Sequence, residues 1–358
     1  MGYVATRGGE EAILNAEALF RAMVGPVDPE LVRHIATRLP YLVDRLMGEG
    51  SLYDPELAAL ALAQTGGDLY EAILLLRAYR STQPRLGNAE PVRPQDVLTV
   101  RRVSASFKDI PGGQVLGPTL DYSHRLLALE ALRKPLQANP PPPKERVAEA
   151  HPPSVAEWLR GKGLLPNVRE EQHGDVRIPD LTREHLEFPA PRAHRLQALA
   201  RADTSGLLAL AYANMRGYGA VHPTVNEVRL GYALVKVRHP VTGEAFAVGR
   251  VRLSQAEVVA PRLQEGERPQ LVMGFSATLG WNEVKVISGA VLDIAMDRPD
   301  PHPSQTEEFV LRHTEPVEAS GFCIHYKLPH YVMFSSLLER LETVQGVAAE
   351  VSAEGQAP

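Results

Sequence analysis

The stretch "VRLGYALVKVRHPVTGEAFAVGRVRL", Val228 to Leu253, decides the fold class. Two runs rich in valine, leucine and aromatic residues flank "HPVTGE", which carries Pro240 and Gly243. Strand-forming runs around such a turn read as an antiparallel β-hairpin. Downstream, "QLVMGF" (Gln270–Phe275) reads as a further strand. Upstream, "VLTVRRVSASF" (Val97–Phe107) alternates in two opposite phases. The phase flips at the Arg101-Arg102 doublet, which predicts a β-bulge there.

Helical patterns surround these strands. Ile13, Ala16, Phe20 and Met23 recur at three- and four-residue spacings. Asp28-Pro29-Glu30 and Asp54-Pro55-Glu56 each combine an N-cap, a first-turn proline and an acid. Pro40 is expected to kink the second helix or split it. Asp68 with Glu71 has the form of a capping box. "DYSHRLLALEALRKPL" (Asp121–Leu136), "RAHRLQALARAD" and "SGLLALAYANMRGYG" also read as helices. "NEVKVISGAVLDIAM" (Asn282–Met296) is apolar on most faces and reads as a buried helix. "QTEEFVLRHTEPVEASG" reads as one exposed helix, and "SSLLERLETV" closes the ordered part. The class is α+β: a helical N-terminal layer, then a mixed part with an antiparallel sheet packed by helices.

Four prolines in "NPPPP" (Asn139–Pro143) favour an extended spacer. The expected organisation is therefore a helical region over 1–136 with one strand and a glycine-rich connection. A proline-rich, irregular connection follows over 137–189, then an α+β region over 190–346 and a disordered tail over 347–358. The 358 residues carry a formal net charge of −5, which argues against a general nucleic-acid binder. No apolar run is long enough for a membrane span, and the N-terminus has no secretory apolar core. With one cysteine, Cys323, no internal disulfide can form, so a cytoplasmic location is expected.

Two segments group chemistry-bearing residues. In "KDIPGGQVLGPTLDYSHR", Lys108 and Asp109 precede Pro111-Gly112-Gly113, and Asp121, His124 and Arg125 follow. Glycine amides can approach an anion closely, and the cations can neutralise phosphate. The alternative is a plain strand-to-helix connection with a type II turn at the glycines. In "RGYGAVHPTVNEVRLG", Arg216, Tyr218, His222, Glu227 and Arg229 lie between a helix and the hairpin. An aromatic ring beside glycines, with a histidine and arginines, can hold a base or sugar and its phosphates. The alternative is a helix C-cap with polar residues facing solvent.

A third segment, "GFCIHYKLPHYVMF", places His325 and His330 five apart, with Cys323 two before the first. Pro329 disfavours helix at Leu328, so the pair is expected on an extended or turning segment, with Cys323 and His325 on one side. A structural zinc needs four ligands, and too few are visible in this stretch. Ordinary surface or core histidines are one reading, and a partner chain supplying the missing ligands is another.

Taken in order, "YVATRGGEEAI", "DRLMGEG", "ELAALAL", "EAILLLRAYR", "KDIPGGQVLGPTLDYSHRLL", "LLALAYANMRGYG", "HP…EVRLGY", "EEFVLRH" and "HYKLPHYV" resemble the I subunit of the bacterial carbon–phosphorus lyase core complex. The likeness spans nearly the whole chain apart from about 137–190 and the C-terminal tail. It implies a subunit working with G, H and J subunits, two copies of each chain, and with ATP-binding-cassette-type K and L proteins. It implies that a phosphonate displaces adenine from ATP to give α-D-ribose 1-phosphonate 5-triphosphate, with nucleosidase-like activity in this subunit. It also implies a zinc site shared with the J subunit through His325 and His330, with Cys323 outside the pattern. The alternative is a mainly structural assembly subunit that contributes half of that zinc site.

Ribosyl transfer at C1′ needs an acid for the leaving base, a carboxylate for the developing cation, and cations for the triphosphate. By residue type, Asp109, His222 and Glu227 (with Asp121) are candidates for the first two. Lys108, Gly112, Gly113, Arg125, Arg216, Tyr218 and Arg229 are candidates for binding. His222 is assigned to the base and Asp109 to the anomeric carbon.

Overall fold

The computed structural model describes residues 8–93, 96–136, 152–167, 179–218, 222–262, 270–328 and 332–354. The chain divides into two compact units: Pro29–Pro316, and a second made of both chain ends, Met1–Asp28 with Val317–Pro358.

The larger unit is built on one antiparallel sheet in the order β1 (Leu98–Val103), β2 (Thr224–Arg238), β3 (Ala245–Arg262) and β4 (Gln270–Leu279). β2 and β3 are the predicted hairpin. Its turn is closed by Gly243 N–H donating to the His239 carbonyl at 2.9 Å, with Gly243 at φ 70°. The predicted bulge in β1 falls between Thr99 and Arg101, so Val100 is the extra residue. Beyond it Arg102 pairs with Arg229 and Val103 with Val228.

Alternation along β2 and β3 sorts the two faces. On one, Val228, Ala256 and Val258 bury against Leu199, Leu207, Val286, Ala290 and Val310. These come from α7 (Arg192–Arg201), α8 (Thr204–Ala213), α9 (Glu283–Met296) and α10 (Glu307–His313). Gly274 of β4 sits so close to α9 that a Cβ there would lie 2.0 Å from the Ala290 carbonyl oxygen. Close approach of sheet to helix thus requires glycine. The other face is covered by α6 (Val155–Gly161), where Ala156 and Leu159 pack on Val259, with Phe107, Trp158 and Met273 around them. Between these patches that face is polar, and there the candidate site lies.

The helical layer of this unit has α2 (Pro29–Arg38), α3 (Pro40–Gly50), α4 (Pro55–Gln64) and α5 (Leu69–Ser81). Pro40 splits what periodicity reads as one helix, because it cannot donate to the preceding turn. Asp54 Oδ1 accepts from Glu56 and Leu57 N–H at 3.0 Å each. Asp68 caps α5 through Tyr70 and Glu71 N–H, but its own N–H is taken by the Thr65 carbonyl, so the capping box is one-sided. The unit of chain ends contains α1 (Gly9–Val24) and α12 (Val332–Glu354).

Four expectations change. Asp121–Leu136 is not a helix; only a 3-10 turn forms, at Leu129–Leu132. Its apolar side chains find no covering surface among the described residues: Leu126, Leu127 and Leu132 are 83–84% exposed. A helix without tertiary packing is marginal in water. "QTEEFVLRHTEPVEASG" is two helices, α10 and α11 (Pro316–Lys327), and α10 buries Val310 and Leu311. Cys323 and His325 lie in the last turns of α11, so at helical spacing they point apart instead of sharing a side. Helix α12 continues to Glu354, into the stretch read as a tail.

Candidate functional site

The first motif folds as the glycine signal implies. Gly113 N–H donates to the Ile110 carbonyl at 2.8 Å, with Gly112 at φ 80°. Proline then glycine with positive φ at the two central positions makes a type II turn. Gln114 Nε2 reaches back to the carbonyls of Phe107 and Lys108. Lys108 and Asp109 stand exposed at the mouth of this loop. A Cβ on Gly112 would meet Pro152 Cβ at 2.6 Å, so the turn lies directly against the segment entering α6.

Arg102 joins this turn to the second motif. Its Nε donates to Glu227 Oε1 at 2.5 Å, its Nη1 to the carbonyls of Pro111 and Gly113, and its Nη2 to the carbonyl of Pro153. Glu227 Oε1 also accepts from Arg229 Nε and Nη2, and Glu227 Oε2 from Val155 N–H at 3.1 Å. Arg229 reaches the Pro152 carbonyl. Glu227 and Arg229 are therefore fully buried, with both oxygens of Glu227 held by protein donors. Beside them Glu257 accepts from the Ser154 hydroxyl at 2.6 Å, Ala156 N–H and Asn226 Nδ2. Burial, then the neighbouring Glu227 charge, pushes the Glu257 carboxyl above the usual range against these hydrogen bonds.

Outside the hub, Ala105 N–H and Ser106 N–H both donate to the Val225 carbonyl, at 3.0 and 3.1 Å. Lys108-Asp109 and His222 thus lie within about three residues of one shared contact, a reach of roughly 10 Å on each strand. His222 is exposed, with Nδ1 on the Pro223 carbonyl at 3.1 Å. Asp121 bridges Arg101 at 2.7 Å and Arg125 at 3.1 Å. The Thr119 hydroxyl, then the two guanidinium groups, hold its carboxyl below the usual range. Arg101 also pairs with Glu283 at the start of α9. Arg216 is exposed in a π-turn, Asn214–Tyr218, with its guanidinium on the Tyr212 hydroxyl at 2.9 Å. Such turns recur at functional sites.

A family model described as bacterial phosphonate metabolism protein (PhnI) matches residues 2–348. The chain belongs to that family. It is 43% identical over 349 residues to the alpha-D-ribose 1-methylphosphonate 5-triphosphate synthase subunit PhnI of Rhizobium meliloti (strain 1021), covering 94% of this chain and 93% of that one. The subunit of the same name from Escherichia coli (strain K12) is 42% identical over 355 residues, 96% of this chain and 98% of the relative. HtxH of Stutzerimonas stutzeri, provisionally named a C-P lyase subunit protein, is 44% identical over 384 aligned positions that cover both chains entirely.

Within this PhnI-family chain, His325 is exposed on α11, ring to ring with Tyr326 at 5.5 Å, and His330 lies outside the described residues. Among the described residues no three histidine, cysteine, aspartate or glutamate side chains cluster as a metal site. An exposed imidazole suits zinc as one ligand of a shared set, and this chain's described residues do not complete one. Among the described residues no helix is long and apolar enough to cross a membrane.

Sequence reasoning passed over Arg102, Glu257 and a second buried charge cluster. In that cluster Glu49 Oε1 accepts from Arg45 Nε at 2.8 Å and from the Thr204 N–H and hydroxyl. Lys285 on α9 is fully buried, and its Nζ has no hydrogen-bond partner. Burial lowers its pKa to about 8, with Glu49 opposing. A charged residue inside an otherwise apolar periodic run was the available signal in each case.

Proposed function

We propose that this chain is the I subunit of a carbon–phosphorus lyase core complex. In this reading it carries the ribosyl-transfer site at which a phosphonate displaces adenine from ATP. G, H and J subunits and ATP-binding-cassette-type K and L proteins are its partners. The observation that supports the site is the Arg102–Glu227–Arg229 hub, which brings the two chemistry-bearing motifs to one place.

The chemistry follows from the substrate and product. The C1′–N9 bond of ATP breaks and its electron pair leaves with the base, which His222 protonates. A phosphonate oxygen bonds to C1′ from the opposite face. ATP is a β-nucleoside and the product is α-configured, so one inversion suffices and no glycosyl-enzyme is required. Asp109 then acts as a fixed charge facing the oxocarbenium-like centre, not as a nucleophile. Gly113 N–H is used inside the turn, which leaves the Gly112 N–H to meet an anion. Lys108, Arg125 and Arg216 supply positive charge for the phosphonate and triphosphate, with Tyr218 as a base-stacking candidate. Glu227 and Arg229, being buried, act by positioning the turn. A zinc ion held by His325 and His330 with J-subunit ligands would fasten the two subunits together.

The test is adenine release from ATP and methylphosphonate by the purified complex. Release that depends on Asp109 and His222 supports the assignment; undiminished release by Asp109→Asn overturns it. The assembly reading is favoured by a different observation: Leu120, Leu126, Leu127 and Leu132 stand more than 70% exposed on one segment. Large exposed apolar patches mark interaction surfaces. The two readings are compatible.

A further inference from the structure

The outer half of β2 carries an open strand edge. Leu98 of β1 pairs with Tyr232, and the preceding chain next meets β2 where Ala89 bridges Val237. Between these two anchors the wall runs nine residues and β2 only five, so the wall bows away from the strand. The recess between them has a volume of about 640 Å³. That falls within the range of small-molecule sites, about 300–1,000 Å³.

In an antiparallel sheet the backbone groups of alternate residues point to the same edge. The Lys236 carbonyl accepts the Glu90 N–H at 2.8 Å, which identifies the edge facing the wall. The N–H and C=O of Leu234 therefore point into the recess, and no described wall residue pairs with Leu234. Two cations border the recess: Lys236, and Arg250 of β3, which lies directly across from Leu234. Both are exposed, and neither side chain has an ion pair or hydrogen bond among the described residues. Of the two carboxylates in the wall, Glu90 is forked by Arg238 at 2.7 and 3.2 Å, which balances its charge. Asp96 Oδ2 accepts the Arg93 N–H at 3.1 Å, which leaves Oδ1 to accept from a ligand. Val92 and Leu98 add apolar surface.

We propose that this recess binds a nucleoside monophosphate. The base docks edge-on, its adjacent donor and acceptor meeting the C=O and N–H of Leu234 in place of a strand residue. A ribose hydroxyl donates to Asp96, and the phosphate lies on Lys236 and Arg250. An extended peptide would use the same backbone groups. The wall closes the edge at both ends, at Lys236 and at Tyr232, so no extended chain can run along it. Leu234 lies nine residues along β2 from Val225, roughly 30 Å at the rise of a strand. The ligand is thus held away from Asp109 and His222 as an effector, and the site is independent of the ribosyl-transfer reading.

The test is equilibrium dialysis of labelled AMP against the purified complex, which reads binding without catalysis. Lys236→Gln and Arg250→Gln change exposed side chains, so both should fold, and circular dichroism checks them. Each is expected to weaken AMP binding about tenfold, the value of a charge-assisted hydrogen bond. Adenosine has no phosphate, so its binding should not respond to either change. The N6-dimethyl analogue of AMP lacks the donor for the Leu234 carbonyl and should bind about tenfold more weakly than AMP. Lys108→Gln should leave this AMP binding as in wild type, because Lys108 belongs to the other end of the sheet. AMP binding that is absent in wild type, or unchanged in both folded variants, overturns the site. Equal binding of AMP and its N6-dimethyl analogue overturns the edge-on base.

Discussion

Arg102 and Glu227 stand 125 residues apart in sequence and 2.5 Å apart in space, with neither side chain reaching solvent. All three nitrogens of this guanidinium donate, to a carboxylate or to a carbonyl of the glycine turn or the α6 entry. Removing one partner leaves a buried charge uncompensated, which costs about 3–5 kcal/mol. Glu227→Gln and Arg102→Ala should each lower the urea-unfolding free energy by that amount. Arg102→Lys should not rescue, because an ammonium cannot reach three directions in one plane. A loss under 1 kcal/mol for Glu227→Gln would mean the hub is not what holds the turn.

Gly112→Ala tests the turn from the other side. Its φ of 80° and the 2.6 Å approach to Pro152 both penalise a side chain. The left-handed backbone alone costs about 1–2 kcal/mol. The expected result is a modest stability loss together with a raised KM for phosphonate; an unchanged KM would separate the turn from substrate.

Asp109 is exposed, so Asp109→Asn should leave unfolding unchanged while adenine release falls at least about 100-fold, as for a lost electrostatic stabiliser. Stopped-time quantification of adenine with the assembled complex reads this directly.

Lys285 has a folded pKa of about 8 against an ordinary value of 10.5. Below pH 8 both states are protonated and the full burial cost is carried. Between 8 and 10.5 the unfolded state binds more protons, so stability rises with pH. Lys285→Met should therefore be more stable than wild type at pH 7, by up to about 3 kcal/mol, and the gap should close towards pH 10. Denaturation curves at several pH values check it; a gap constant with pH would remove Lys285 as the cause.

Zinc content separates a shared site from a self-contained one. The isolated chain should retain well under one zinc, and the complex should hold zinc that His325→Ala removes. Tight stoichiometric zinc in the isolated chain would bring Cys323 back as a ligand.

The hairpin, the β1 bulge and the caps at Asp54 and Asp68 were legible because each is a local preference that tertiary packing did not oppose. "NEVRLG" shows the limit. Its alternation assigns Glu227 and Arg229 to one face and Val228 and Leu230 to the other, and both assignments hold. A polar face is normally solvated, yet this one is roofed by the α6 entry more than 70 residues earlier. Nothing local signals such a roof. Asp121–Leu136 fails in the opposite sense: helical periodicity is present, but the surface that would bury it is not in this chain's described residues. Lys285 was hidden inside an apolar run, where one cation reads as noise.

The wide spacing of β1 and β2 also bears on biosynthesis. β1 ends at Val103 and its partner begins at Thr224. Ribosomes add about 5–20 residues per second, so the nascent chain carries this strand with an unmet edge for on the order of ten seconds. Non-local pairing of this kind is slow and aggregation-exposed. The two arginines in that strand then act as gatekeepers, since charge on an open edge discourages pairing with the wrong neighbour until Glu227 is made.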